Sequence, residues 1–171
     1  MSGVLVRRAV EADYPAVARL TVAAYEADGQ LKGGTGYGTV LADVATRAAS
    51  GDVLVAVDEA TGVPLGAVLF VLPGSPYAEL CGPGEAEFRM LAVDPAAQGR
   101  GVGMVLARAC LSRAAELGCS AVAICVREGM AEAAQRLYAR LGFVRTPERD
   151  WSPLPGLRLL GLRRELSPGT P

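Results

Sequence analysis

Three glycines at alternate positions, Gly99, Gly101 and Gly103, constrain this chain more than any other feature. They follow a stretch typical of a β-strand, residues 86–93, and open an apolar stretch typical of an α-helix, residues 101–117. Glycine has no Cβ, so a ligand can approach its backbone closely and a positive φ carries no steric cost. The first amides of a helix lack partners within the helix, and the helix dipole favours negative charge there. This order of elements therefore predicts a site for a phosphate or diphosphate group.

Two common phosphate-binding motifs do not fit these glycines. A dinucleotide fingerprint has glycine at the first, third and sixth positions of its loop. The sixth residue is Met104 when counted from Gly99 and Leu106 when counted from Gly101. A P-loop needs Gly-Lys-Ser/Thr before its helix, and the only lysine, Lys32, is followed by two glycines. The sequence therefore argues against nucleotide hydrolysis and hydride transfer.

The composition removes further classes of function. The chain has no histidine, which excludes Ser-His-Asp and Cys-His catalysis, histidine-ligated zinc and an imidazole base. Acid–base chemistry must then use carboxylates, tyrosine, backbone or water, and we expect no metal. A net charge of −1 gives no electrostatic basis for binding nucleic acid or an anionic membrane. No apolar run reaches the roughly 18 residues that span a bilayer.

The patterns of apolar residues predict a single α/β domain over residues 1–171. Its elements follow the order β-α-α-β-β-β-α-β-α-β-β. The predicted strands cover residues 4–8, 52–57, 64–72, 86–93, 121–127, 143–145 and 157–166, and the predicted helices cover residues 14–25, 39–49, 101–117 and 131–141. Asp13 is expected to cap the first helix. The strands on either side of the third helix should be parallel, because a helical crossover joins them.

Two motifs carry a resemblance to a known family. Gln98, Gly101 and Gly103 fit the pattern of Gln or Arg, two residues, Gly, one residue, and Gly or Ala. Residues 134–143 add a helix that carries Leu-Tyr and closes with Gly-Phe. Both motifs resemble those of the GNAT superfamily of N-acyltransferases, and the resemblance covers roughly residues 4–166. It implies a mostly antiparallel mixed sheet with one splayed parallel strand pair, flanked by four helices.

The resemblance implies that acetyl-CoA is the co-substrate. The strand before the loop would bulge, and Leu91–Val93 would lie against the pantetheine and thioester. A backbone amide near Leu91 would then stabilise the oxyanion. Arg100 is expected to reach a phosphate, although a solvated arginine is the alternative. The residues implied in coenzyme binding are Leu91, Ala92, Val93, Gln98, Gly99, Arg100, Gly101, Val102, Gly103 and Tyr138.

Tyr138 occupies the position where the family often has the general acid for the coenzyme A thiolate. The residue pattern alone favours a core tyrosine, because Tyr138 lies on an apolar helical face. The family often has asparagine seven residues earlier, where this chain has Ala131. A pantetheine contact is then missing, or is supplied by Arg127 or water.

Glu87 is the leading candidate for the general base, because it lies on the strand before the expected bulge. The alternative is a surface carboxylate paired to Arg89 or Arg127. Glu79 and Asp150 lie in loops that border the acceptor side in this family. A chain of waters without a dedicated base is a further alternative.

Together these features predict an N-acetyltransferase that moves an acetyl group from acetyl-CoA to a primary amine by direct attack in a ternary complex. Loops 26–40, 73–85 and 146–156 are expected to set the acceptor, a small-molecule or peptide amine. Two alternatives stay open: a coenzyme A-binding sensor or interaction module without transfer activity, and an acetyltransferase of protein N-termini or lysines. The four cysteines form no Cys-x-x-Cys pair, and the N-terminus does not read as a signal peptide. We therefore expect a cytoplasmic protein, and a homodimer is left open.

Overall fold

The computed structural model of the protein describes residues 3–32, 36–129 and 132–167. Within these ranges it contains eight β-strands and five α-helices. The strands are β1 (Val4–Arg8), β2 (Asp52–Asp58), β3 (Pro64–Val71), β4 (Glu85–Val93), β5 (Ala121–Arg127), β6 (Val144–Arg145), β7 (Trp151–Leu154) and β8 (Leu157–Glu165). The helices are α1 (Tyr14–Ala27), α2 (Tyr37–Ala42), α3 (Val44–Ser50), α4 (Val102–Glu116) and α5 (Glu132–Arg140).

The strands form a mixed sheet in the order β1-β2-β3-β4-β5-β8-β6, and β7 pairs with β8. β4 and β5 are parallel, as predicted for two strands joined through α4. β1 with β2, β2 with β3, and β5 with β8 are antiparallel. The predicted α/β fold with a mostly antiparallel sheet and one parallel pair is therefore confirmed.

The contacts within the chain define two compact units. Unit one comprises residues 1–70 and 90–109, and unit two comprises residues 71–89 and 110–171. The single domain over residues 1–171 stays a prediction. None of the helices in the described ranges combines the length and the apolarity that a membrane span requires.

Helix α1 of unit one begins where the sequence predicts, but Asp13 does not cap it. A short 3₁₀ turn precedes the helix, so Asp13 already has helical backbone angles, φ −81° and ψ −20°. Its side chain reaches back instead and accepts the Val10 N–H at 2.8 Å and the Arg7 guanidinium at 2.7 Å. The capping prediction was wrong because the Asp13 carboxylate binds the Arg7 guanidinium and the Val10 N–H of the preceding turn, not an amide of α1.

The helix predicted over residues 39–49 is two short helices, α2 and α3, so the described part of the chain has five helices where four were expected. Asp43 separates them with a non-helical ψ of 74°, and its side chain caps α3 by accepting the Thr46 N–H at 3.2 Å. The buried Arg47 guanidinium donates to the carbonyls of Val40 and Leu41 at 3.0 and 2.7 Å. These bonds satisfy carbonyls at the end of α2 that would otherwise lack partners.

Unit two contains β7, a strand that the sequence did not predict. Residues 151–154 lie in the predicted loop 146–156, but they form a strand that contains Pro153, and proline is tolerated on an edge strand. Helix α5 is fixed by an aromatic cluster of Phe88, Tyr138 and Phe143, whose ring centroids lie 5.7–6.0 Å apart. Gly142, with φ 85°, ends the helix as predicted.

Candidate active site

The glycine loop of unit one is a strand–turn–helix junction built on the backbone. After β4, a 3₁₀ turn at Pro95–Ala97 is capped by Asp94, which accepts the Ala96 N–H at 3.0 Å. Gly99 and Gly101 follow with φ of 84° and 75°, and a Cβ on either would meet no atom within 4 Å. Glycine is therefore required at these two positions by backbone conformation, not by crowding.

The start of α4 presents free amides. The Val105 N–H donates to the Gly101 carbonyl at 3.1 Å, so Gly101 is the residue that precedes the first helical turn. The amides of Val102, Gly103 and Met104 then have no acceptor within the helix. Such a terminus, opened by glycines and positive in potential, suits an anionic group.

Gly66 in β3 allows the close packing of this junction, a role that the sequence analysis did not predict. A Cβ on Gly66 would lie 2.8 Å from both the Ala92 carbonyl oxygen and Val102 Cγ1, and 3.1 Å from Leu106 Cδ1. Val102 and Leu106 are buried. Glycine thus lets β3 approach both the end of β4 and the first turns of α4. An isolated glycine in a strand pattern was the available signal.

Arg100 is ion-paired within unit one. Its Nη2 lies 2.9 Å from Oδ2 of Asp58, the last residue of β2. The other carboxylate oxygen of Asp58 accepts the N–H groups of Ala60 and Thr61 in the β2–β3 turn. The ion pair ties the loop to the β2–β3 hairpin, and the contact of Arg100 with a phosphate stays a prediction.

The backbone of β4 is irregular at Met90, three residues before the strand ends. Met90 has φ 54°, the left-handed region that a non-glycine residue rarely adopts. The parallel pairs with β5 that the described residues form run from Glu85 to Glu87, whereas β4 itself extends to Val93. This left-handed residue thus falls immediately before Leu91, near which the oxyanion amide is expected. Ala92 is buried and Val93 is half-buried.

Glu87, the predicted base, is a fully buried carboxylate in unit two. Its Oε1 accepts the backbone N–H groups of Glu79, Leu80 and Cys81 at 2.8–3.0 Å. Its Oε2 is also buried and has no hydrogen-bond partner among the described residues. The alternative of a surface carboxylate is therefore wrong, and Oε2 is the oxygen of Glu87 that accepts no backbone N–H.

Glu79 forms a second acidic position in unit two. Its carboxylate lies 2.7 Å from Arg89 Nε, and both side chains are mostly buried. Burial raises the pKa of Glu79, and the charge of Arg89 opposes that rise. Cys125 lies 3.8 Å from Glu79, and burial together with this carboxylate raises the pKa of the Cys125 thiol to about 12. The thiol is therefore neutral and is a poor nucleophile.

Asp150, one of the alternative bases, is fully engaged in structural bonds. Its carboxylate accepts from Arg145 at 2.8 Å, from Arg158 at 3.0 Å and from the Gly161 N–H at 2.8 Å. The bond from Arg145 and the other donors hold the pKa of Asp150 far below its usual range. A carboxylate held in its charged form is a weak base.

Tyr138 packs in the aromatic cluster of unit two with a side chain only 6% exposed. Burial raises the pKa of its hydroxyl, and the thiols of Cys110 and Cys125 add to the rise. The phenol therefore keeps its proton across the neutral range and can act as a donor. Ala131, where the family often has asparagine, lies outside the described residues.

The structure brings the predicted residues together in two sets. Leu91–Val93 and the glycine loop belong to unit one, and Glu87 and Tyr138 belong to unit two. Trp151, also in unit two, has a buried indole N–H without a partner in the described part of the chain.

Comparison with known proteins identifies the families and structures that the chain resembles. A model of the acetyltransferase (GNAT) family matches residues 36–143, more than half of the chain. The comparison with curated proteins found no match.

Solved structures of similar fold include several acetyltransferases. A GCN5-related N-acetyltransferase from Kribbella flavida is 27% identical, with a TM-score of 0.66 over 95% of this chain and 98% of that chain. Ribosomal-protein-alanine N-acetyltransferase from Brucella melitensis is 21% identical, with a TM-score of 0.68 over 95% and 99%. The YncA protein from Salmonella typhimurium, solved with its cofactor acetyl-CoA, is 22% identical, with a TM-score of 0.63 over 96% and 95%.

Proposed function

The chain belongs to the acetyltransferase (GNAT) family and is a GNAT-type N-acetyltransferase; from this premise we propose that it transfers the acetyl group of acetyl-CoA to a primary amine by direct attack in a ternary complex. The amine nitrogen attacks the thioester carbonyl carbon, and a C–N bond forms as the C–S bond breaks. The nitrogen loses one proton, and the departing thiolate gains one. No covalent enzyme intermediate is needed, which suits a chain without histidine.

The glycine loop carries the proposal for the coenzyme. The diphosphate would accept hydrogen bonds from the free N–H groups of Val102, Gly103 and Met104. The positive φ of Gly99 and Gly101 supports this, because it turns the backbone before the helix. Gln98 directly precedes Gly99, and Arg100 lies between Gly99 and Gly101. The guanidinium of Arg100 would bring positive charge to the phosphates while it keeps its ion pair to Asp58.

Two side chains of unit two are proposed for proton transfer. Glu87 would take the proton of the amine on Oε2, because that oxygen is the one not bound by backbone amides. Tyr138 would give its proton to the coenzyme A thiolate, since its raised pKa keeps the hydroxyl protonated. A backbone amide near Leu91, immediately after the left-handed Met90, would stabilise the oxyanion.

The single observation that carries the coenzyme site is the pair of open, left-handed glycines before α4. Gly101→Ala forces a side chain into φ 75°, which costs about 1–2 kcal/mol or turns the amides away. Gly118→Ala is the matched control: Gly118 lies at the other end of α4 with φ 77° and an equally open surround. In calorimetry, the Kd for acetyl-CoA should rise about 5- to 30-fold or more in Gly101→Ala and stay near the wild-type value in Gly118→Ala. Equal affinity in both variants would remove the loop from the coenzyme site.

The acceptor is tested by release of coenzyme A thiol across four amines: butylamine, alaninamide, a peptide with a free N-terminus, and an N-blocked peptide with one lysine. Turnover with butylamine or alaninamide would support a small-molecule acceptor. Turnover confined to one of the peptides would support an acetyltransferase of protein N-termini or lysines. Tight acetyl-CoA binding with no thiol release from any amine would favour a binding module without transfer activity.

A further inference from the structure

The backbone amides that hold Glu87 come from one short segment, and this segment is held in turn from its other side. Leu80 donates its N–H to Glu87 Oε1 at 2.8 Å, between the matching bonds from Glu79 and Cys81. The carbonyl of the same residue, Leu80, accepts Arg149 Nη1 at 3.3 Å. One residue therefore links a side chain of the 3₁₀ turn at 147–149 to the candidate base.

Arg149 is anchored on Glu85 by two bonds. Its Nη1 lies 2.8 Å from Glu85 Oε1, and its Nη2 lies 3.3 Å from Oε2. Burial would raise the pKa of Glu85, but the bonds from Arg149, the Gly82 N–H and Arg163 outweigh it and lower the pKa to about 2. Glu85 is thus charged at neutral pH and fixes the planar guanidinium by a fork-like pair.

The segment that carries Arg149 is itself rigid. The Arg149 N–H donates to the Thr146 carbonyl at 2.9 Å, and the neighbouring Asp150 is held by the Arg145 guanidinium and the Gly161 N–H. Gly161 leaves room for this turn, since a Cβ there would lie 2.8 Å from Thr146 Oγ1 and 3.1 Å from Arg149 Cβ. Arg149 therefore projects from a fixed support.

From these contacts we infer that Arg149 is a positioning residue for the transfer reaction: it holds Leu80 so that the 79–81 amides keep Glu87 Oε1 bound and leave Oε2 for the amine proton. The inference rests on the proposed role of Glu87 as the base. Arg149 does not touch the reacting atoms. It acts through Leu80, so its effect requires a carboxylate at position 87.

The first test compares Arg149→Met with Arg163→Met by amide hydrogen exchange of the peptide that spans residues 77–84, without any ligand. Arg163 is the matched control, because its Nε binds Glu85 Oε2 at 2.7 Å and no hydrogen bond between it and residues 79–81 occurs in the described part of the chain. Exchange in segment 79–81 should accelerate about tenfold or more in Arg149→Met and stay near wild type in Arg163→Met. Unchanged protection in Arg149→Met would overturn the inference, whatever the activity.

The second test is a double-mutant cycle with Glu87→Gln, using acetyl-CoA and the amine of the four that releases thiol fastest. Arg149→Met should lower kcat about tenfold with the KM for acetyl-CoA unchanged, and Arg149→Lys should recover part of the loss because it restores the charge without the fork. In the Glu87→Gln background, Arg149→Met should lower kcat less than about twofold, since coupled residues are not additive.

The outcomes separate the inference from the proposal on which it rests. A full tenfold loss in the Glu87→Gln background, or equal losses in Arg149→Met and Arg163→Met, would overturn the positioning role while Glu87 remains the base. A Glu87→Gln variant with wild-type kcat would remove Glu87 as the base and the inference with it. Melting curves of each variant confirm that the folded enzyme is compared.

Discussion

Replacing Gly66 by alanine should disturb the coenzyme site from a strand that contributes nothing to it chemically. The added Cβ would lie 2.8 Å from the Ala92 carbonyl oxygen and from Val102 Cγ1. Unstrained contacts between carbon atoms begin at about 3.5 Å, so Val102 Cγ1 would have to move by about 0.7 Å. One of these neighbours is backbone, and the other belongs to the buried first turn of α4.

The magnitude of both effects follows from this displacement. Overpacking of this kind costs about 1–3 kcal/mol, and about 2 kcal/mol lowers the melting temperature of a chain of this size by about 4–8 °C. Hydrogen bonds from N–H to oxygen operate over about 2.7–3.2 Å, so a shift of α4 by about 0.7 Å would break at least one bond to the diphosphate. A bond to a charged group is worth about 1.5–3 kcal/mol, so the Kd for acetyl-CoA should rise about tenfold or more.

Gly38→Ala is the matched control for this prediction, measured by the same melting curves and calorimetry. Gly38 lies in α2 of the same unit, and a Cβ there would meet only Leu31 Cδ1 at 3.8 Å. Alanine is the better helix former, so stability should stay level or rise by up to about 1 kcal/mol. An unchanged melting temperature and Kd in Gly66→Ala would refute the crowding argument. An equal fall in melting temperature and an equal rise in Kd in Gly38→Ala would show that any methyl group added to this unit has these effects.

Two further predictions concern unit two. Tyr138→Phe removes only a hydroxyl from a buried ring, so the Kd for acetyl-CoA should stay within about twofold of the wild-type value. The kcat should fall about a hundredfold, as expected for a lost general acid. An unchanged kcat in steady-state thiol release would show that Tyr138 has only a packing role. In the folded protein the pKa of Glu85 is about 2, below its ordinary value of 4.5. Glu85 therefore adds to the free energy of unfolding above pH 4.5, and this contribution is lost as the pH falls toward 2. Urea unfolding at pH 7 and pH 3 should therefore show a larger acid loss of stability in the wild type than in Glu85→Gln, and equal losses would contradict this assignment.

The elements that could be predicted are those fixed by local patterns. The alternating glycines after an apolar strand define the junction at β4 and α4, because positive φ and free helical amides are properties of neighbouring residues. The parallel pair β4 and β5 follows from the helix between them. By contrast, Asp43 looked like one more residue of a helical stretch, and only its backbone angles show that it divides α2 from α3.

The contacts that organise the candidate site join residues that are far apart in the chain. Arg100 and Asp58 are 42 residues apart, and Arg149 and Glu85 are 64 apart. The residues around an arginine do not indicate which carboxylate it binds, because surface and buried arginines occur in the same sequence contexts. The predicted strand 86–93 placed Glu87 correctly in β4, but its burial depends on the segment 79–81, whose amides bind it. The sequence alone therefore left a surface carboxylate, paired to Arg89 or Arg127, as the alternative to the base.

In the proposed mechanism, backbone amides bind the coenzyme and side chains transfer the protons. In unit one the coenzyme is assigned to amides after Gly101, so substitutions there should act through conformation and change Kd. In unit two the proton transfers are assigned to Glu87 and Tyr138, so substitutions there should change kcat. Coenzyme binding by backbone amides tolerates varied side chains as long as the left-handed glycines remain, because the fold alone positions each amide. Proton transfer has no such tolerance, since it needs a particular oxygen with its lone pairs or proton kept available. The segment 79–81 combines both features: its backbone, fixed by Arg149, determines which oxygen of a side chain stays free.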